Sequence, residues 1–231
     1  MINGLSFEEF ETKLREGAFK DSGWSFNDNE LMKKFVANRK QTIELTDLEC
    51  DIAKSSAQRM AEGRRKQYGN FAVGNFVTGI KGEMAVAKCL HKIKKFKDLN
   101  SAVSFSRKDF GDGGVDIHWG RWRIDVKTTG TEYGPLIVDS SKPQIHQANL
   151  FILAHLRYDG MEKKEGTNTW KATKNKVDIY GFLTPQEVYE VNEKNLLVRA
   201  QYYDHQQLPT KYSVDCWEMR PIRDLGPTTT A

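Results

Sequence analysis

No stretch of this chain holds an unbroken apolar run of the ~18 to 20 residues that a membrane-spanning helix needs. The first residues, "MINGLSFEEFETKLREG", are acidic and amphipathic where a secretory leader would be continuously apolar. A cytosolic protein that does not enter the membrane is therefore expected. Cysteine is scarce: Cys50, Cys89 and Cys216 lie far apart and form neither a disulfide framework nor a C-x-x-C metal motif, so reduced, buried thiols are expected. A strong charge of one sign is also missing, with 35 Lys and Arg against 31 Asp and Glu, and so mild a surplus does not by itself point to nucleic acid. Internal repeats and low-complexity linkers are absent, and "GPTTTA" at residues 226–231 reads as a disordered tail. What is there, 231 residues of which 39% are hydrophobic, suffices for one large domain or for a core with an appendage.

Residues 1–70 read as a helical N-terminal extension. Ser6 with Glu9 and Thr46 with Glu49 match the capping box, in which a hydroxyl and a carboxylate satisfy orphan amides at a helix start. Leu48, Ile52 and Met60 follow at roughly helical spacing, with a stop expected near Gly63. The next segment, "AEGRRKQYGNFAVGNF", has no period and reads as a connection; its Arg64, Arg65 and Lys66 suit either phosphate contact or ordinary solvated surface. From Gly79, "GIKGEMAVAKCLHKIKKF" is a glycine-opened helix whose lysines gather at the negative end of the helix dipole. "SAVSF", "NLFILAHLRY" and "KVDIYGFL" read as strands, and Thr184-Pro185-Gln186-Glu187 starts another helix. The sum is an α/β fold: a core over residues 71–225 with a central mixed β-sheet flanked by helices.

The stretch "GGVDIHWGRWRIDVKTTG", residues 113 to 130, sets an aspartate inside each of two apolar runs, although strand interiors disfavour Asp. Gly120-Arg121 is a two-residue connection of the type II′ kind, and it fixes the pairing around it. Trp119 then faces Trp122, His118 faces Arg123, Ile117 faces Ile124 and Asp116 faces Asp125. By strand alternation Val115, Ile117, Trp119, Trp122, Ile124 and Val126 form an apolar face, and Asp116, His118, Arg123, Asp125 and Lys127 share the other. Two carboxylates brought together in this way share a proton, form ion pairs or bind a cation. An oxygen-only set suits Mg²⁺ or Mn²⁺ better than Zn²⁺, whereas a purely structural hairpin would use Arg123 and Lys127 to neutralise both aspartates in a surface ladder. Asp109 and Asp112 beside glycines suit turn chemistry, and His118, His146 and His155 read as neutral, hydrogen-bonded side chains.

These residues resemble the PD-(D/E)xK, or restriction-endonuclease-like, nuclease superfamily. Asp116 matches its first strand acid, Asp125-Val126-Lys127 its Asp/Glu-x-Lys element, and Glu83 in "GIKGEMAVAKCL" its helical glutamate. The match runs from about Gly79 to Val191, where "YGFLTPQEV" resembles phage-borne members, and it departs from the signature at Val115, where the family carries proline. The resemblance implies Mg²⁺- or Mn²⁺-dependent hydrolysis of DNA in the cytoplasm, the host's if the chain is phage-encoded, by a protein that is a candidate homodimer. It implies that Asp116, Asp125 and the backbone carbonyl of Val126 hold the metal. Glu83 would bind a second metal or a metal-bound water, and Lys127 would orient or deprotonate the attacking water, or steady the pentavalent phosphate. The alternative it leaves open is a DNA-binding or DNA-packaging accessory protein that keeps the fold without turnover.

Overall fold

A seven-residue run with no surface position, Leu150–Leu156, forms the middle strand of the main sheet. Strands covered on both faces read as continuous apolar runs, and this one is apolar everywhere except His155. The structure is a computed structural model that describes residues 30–68, 73–94, 115–139, 147–157, 161–163, 170–172, 175–191 and 211–225. In chain order these form α1 (Glu30–Arg39), β1 (Gln41–Glu44), α2 (Asp47–Tyr68), α3 (Val73–Lys94), β2 (Ile117–Trp119), β3 (Trp122–Thr129) and β4 (Leu136–Asp139). There follow β5 (Leu150–Leu156), β6 (Met161–Lys163), β7 (Trp170–Ala172), β8 (Lys176–Leu183), a helix α4 over 185–191, and β9 (Lys211–Val214), with short 3-10 turns at Cys216–Glu218 and Ile222–Asp224.

The main sheet has the order β1-β8-β5-β3-β2 and is mixed: β3 and β5 run parallel, and every other neighbouring pair is antiparallel. Each face buries its own cluster. On one, Ala85, Val86, Cys89 and Leu90 of α3 pack on Ile117, Ile124, Val126, Ile152, Ala154 and Ile179. On the other, Phe35 and Val36 of α1 and Val188 of α4 pack on Phe151, Leu153, Tyr180 and Leu183, together with Leu136, Val138 and Val214 of the small β4-β9 sheet. At ~1.5 to 3 kcal/mol for each fully buried large aliphatic or aromatic side chain, these two clusters are the main stabilising term. The expected central mixed sheet flanked by helices is thus what the chain forms. Among the described residues no helix is long and apolar enough to cross a membrane, and all three cysteines are buried free thiols, with burial pushing the Cys89 thiol up to about 11.

Several local expectations hold. Thr46 N–H donates to Glu49 Oε2 at 2.7 Å and Glu49 N–H donates back to Thr46 Oγ1 at 3.3 Å. Thr184 and Glu187 repeat this reciprocal cap at the start of α4, where the Thr184 bond holds the Glu187 carboxyl below its usual range against the upward push of burial. Others require correction. The first 70 residues are not only helical: β1 pairs Gln41 with Ile179 through Glu44 with Lys176, so this segment supplies an edge strand of the main sheet. Gly63 does not stop α2, which continues to Tyr68, and α3 begins at Val73, so most of the supposed connection is helix. Leu48 and Ile52 are exposed, and α2 meets α3 instead through Ala53, Ala57 and Met60. Ser6, Glu9, "SAVSF", Asp109, Asp112, His146 and "GPTTTA" lie outside the described residues.

Gly82 lets α3 approach β3 closely. A Cβ added there would collide with the side chain of Thr128, while one added at Gly79, on the same helix, meets nothing within 4 Å. Gly82→Ala is therefore expected to lose ~1 to 3 kcal/mol through overpacking. Gly79→Ala is expected to gain ~0.5 to 1 kcal/mol from helix propensity. Urea denaturation of both variants measures the contrast, and equal effects of one sign would contradict the packing described.

Candidate active site on the β2–β3 hairpin

The hairpin has the register its turn dictates, with Ile117 opposite Ile124, His118 opposite Arg123 and Trp119 opposite Trp122. Gly120 has φ 58° and Arg121 is not in the left-handed region, as a type II′ turn requires. The apolar face is buried as expected. Asp116, however, does not face Asp125 in regular register. Ladder pairing ends at Ile117; Asp116 N–H donates to the Ile124 carbonyl at 2.8 Å, and Val126 N–H donates to Asp116 Oδ2 at 2.6 Å. A carboxylate oxygen thus takes the place of a strand carbonyl. N–H and C=O of one strand residue point to the same side, so the Val126 carbonyl points to the edge that the Asp116 carboxylate occupies.

Both aspartates are buried, at 8% exposure for Asp116 and 3% for Asp125. Lys127 Nζ lies 2.8 Å from each carboxylate oxygen of Asp125. Arg123 takes no part in that pairing: its Nε donates to the Gln147 carbonyl at 2.5 Å. The arrangement differs from a surface ladder, because the carboxylates are desolvated, with the Val126 amide among the partners of Asp116 and the Lys127 ammonium among those of Asp125. Bringing a carboxylate out of water costs several kcal/mol unless it is so paired.

Asp116, Asp125, Val126 and Lys127 therefore come together around a single peptide unit. Glu83 is half-buried on α3, one residue from the contact between Gly82 and Thr128. That helix covers the face of Ile124 and Val126, while Asp125 and Lys127 alternate to the opposite face. Among the described residues no group of three or more His, Cys, Asp or Glu side chains is placed to hold a metal ion. Two buried carboxylates still fit a hard divalent cation, because Mg²⁺ commonly takes one or two carboxylates and fills its remaining positions with water.

Sequence reasoning missed a second polar constellation on the Asp125 face. Cross-strand neighbours Thr129, His155, Asp178 and Thr42 form a row over four strands. Asp178, 1% exposed, accepts from Lys40 Nζ at 2.7 Å and from Thr42 Oγ1 at 2.6 Å, with His155 Nδ1 3.9 Å away. Burial would raise its pKa, but the facing imidazole of His155, the Lys40 ammonium and the Thr42 hydroxyl outweigh that and hold it at about 2. Beside it Tyr180, the extra residue where β8 shifts register against β5, has its hydroxyl 3.3 Å from His155 Nδ1 and accepts from Tyr133 N–H at 3.0 Å. Tyr133 holds the left-handed φ of 56° in the turn that follows β3. His155 is thus hydrogen-bonded, as expected, but His118 is exposed. Lys81, only 5% exposed on α3 beside Gly82, was also missed. None of these residues has a motif, since Lys40 and Asp178 are 138 positions apart.

No known protein family, curated protein or solved structure matches this chain.

Two outcomes follow from this geometry. Asp116→Asn keeps an oxygen to accept from Val126 N–H, so its melting temperature in chelator should stay near wild type. Asp116→Ala orphans a buried amide and should lose ~1 to 3 kcal/mol. Thermal melts decide, and an Asn variant as unstable as the Ala variant would show that the charge, and not the hydrogen bond, is structural. For Asp178 the folded pKa lies below the unfolded value, so its contribution is complete above about pH 4 and is lost as pH falls through about 2. Asp178→Asn should be less stable than wild type by about 2 to 3 kcal/mol at pH 7, with the gap narrowing from pH 4 to pH 2 in denaturant titrations.

Proposed function

We propose that this protein is a metal-dependent DNA nuclease whose centre is Asp116, Asp125 and Lys127. The observation that supports this reading best is the burial of two aspartates around the Asp125–Val126 peptide, with an ammonium 2.8 Å from Asp125. A hairpin that needed only stability would place apolar or neutral residues there, since replacing buried ion pairs by apolar side chains is often neutral or stabilising. The position of the group at the edge of the parallel β3–β5 pair agrees with the resemblance to PD-(D/E)xK nucleases, as does the α3 helix that precedes the hairpin.

In this reading Asp116, Asp125 and the Val126 carbonyl hold Mg²⁺ or Mn²⁺. Such an ion, when bound, acidifies a coordinated water and neutralises charge on a phosphate. The chain itself supplies the rest. Burial of both aspartates excludes bulk water and strengthens every charge interaction at the centre. Asp125 fixes Lys127, which places a positive charge and hydrogen-bond donors where the phosphate accumulates negative charge and where the attacking water must be aligned. Glu83 enters by resemblance alone, as a ligand for a second metal or for a metal-bound water.

The test uses the full chain with plasmid and linear duplex DNA. Cleavage is expected with Mg²⁺ or Mn²⁺ and not with excess EDTA, and Lys127→Ala is expected to lose at least ~10²-fold in turnover while retaining its circular dichroism spectrum. Cleavage in chelator, or a near-normal Lys127→Ala, would overturn the mechanism. Binding of DNA without any cleavage would favour the accessory-protein reading.

A further inference from the structure

Between its two aspartates the hairpin reads Ile117-His118-Trp119-Gly120-Arg121-Trp122-Arg123-Ile124, which holds two guanidiniums, an imidazole and no carboxylate. His118 and Arg123 are cross-strand partners, and both are exposed. Arg123 shares a strand face with Asp125, two residues on. Arg121, exposed in the turn, lies over the Trp122 ring at 4.8 Å from its centroid. Among the described residues no carboxylate pairs with Arg121, Arg123 or His118.

Asn149, at the entry to β5, fastens this tip to the sheet. Its Oδ1 accepts from Arg123 N–H at 2.7 Å, its Nδ2 donates to the Arg121 carbonyl at 2.9 Å, and its own N–H donates to the Arg123 carbonyl at 2.9 Å. The Arg123 Nε bond to the Gln147 carbonyl then orients the guanidinium. An ordinary surface arginine is a mobile chain that loses entropy on binding. Here the backbone of both arginines and the fork of one are already fixed, which lowers the cost of capturing an anion.

We propose that Arg121 and Arg123, with His118, form a phosphate-binding subsite that holds the DNA backbone to one side of the Asp116–Asp125 centre. At ~3.3 Å per strand residue, Arg123 lies ~7 Å from Asp125 along β3, and Arg121, in the turn just before β3, lies within ~13 Å of it. With a phosphate about every 3.4 Å of axis on each strand, this reach covers roughly two to four nucleotides. The subsite rests on the nuclease reading only for the identity of the bond being cut. Arginine bonds to phosphate carry no base information, so the interaction is independent of sequence.

The experiment is fluorescence anisotropy of the full chain with a 20-base-pair duplex in EDTA, over a series of salt concentrations. Arg121→Gln and the double variant Arg121→Gln/Arg123→Gln are compared with wild type and with Arg121→Lys. Removing one arginine–phosphate pair should make the slope of log K against log salt less negative by about 0.9. Affinity should fall several-fold in Arg121→Gln and to the same extent for two duplexes of unrelated sequence, with Arg121→Lys near wild type. Arg121→Gln alters only a turn side chain, so it stays informative if the double variant loosens the tip. An unchanged slope in both folded variants, a weakening confined to one duplex sequence, or no binding by wild type would each overturn the subsite. Slope changes in a protein that never cleaves DNA would support the subsite while overturning the nuclease reading, and cleavage with unchanged slopes would do the opposite.

Discussion

The hydrogen bond from Val126 N–H to Asp116 Oδ2 is what the hairpin's chemistry depends on. Because a side-chain oxygen takes the acceptor position, β2 ends its regular pairing at Ile117 and the strands part at the level of Asp125. An aspartate that would be a liability inside a strand becomes the group that satisfies a buried amide. Asp125 is compensated differently, by the ammonium of Lys127 two residues along. The hairpin itself thus supplies a partner for each carboxylate, which lowers the cost of desolvating the two together.

The two faces of β3 have different tasks. Ile124, Val126 and Thr128 meet α3, with Gly82 removing the one side chain that would hold the helix away. Asp125, Lys127 and Thr129 face the opposite way and continue into the row of His155, Asp178 and Thr42. Polar groups on that face are therefore connected across β5, β8 and β1 by hydrogen bonds and charge, with Thr129 of β3 the register neighbour of His155, while the apolar face is fixed by packing. Any displacement of α3 acts on the strand that carries Asp125 and Lys127 through Thr128.

What could be read from the sequence was what local chemistry determines. A two-residue turn with glycine first sets the hairpin register, strand alternation sets its apolar face, and threonine with glutamate three residues later sets the two helix caps. The aspartates and Lys127 were found for the same reason, since all lie within twelve residues of one turn. Features held by distant partners were invisible. Gln41–Glu44 has no apolar alternation to mark it and is a strand only because β8 pairs with it. Asp178 reads as an anomaly in "KVDIYGFL" until Lys40 and Thr42 are brought beside it. The slip at Asp116 is a third case, because a period of two assumes regular pairing to the strand end.

The pairing of β1 with β8 also has a consequence for the order of assembly. The β2–β3 hairpin can close within microseconds once its own residues exist. Strand β1, emerging early during synthesis, must wait until residues 176–183 have been made before it finds its partner. Between the synthesis of β8 and its pairing with β1, that apolar strand presents an open edge of backbone donors and acceptors, the kind of surface on which chains associate with one another. The Lys40 and Thr42 bonds to Asp178 require β1 to lie against β8, so the buried carboxylate ties that edge strand to the sheet.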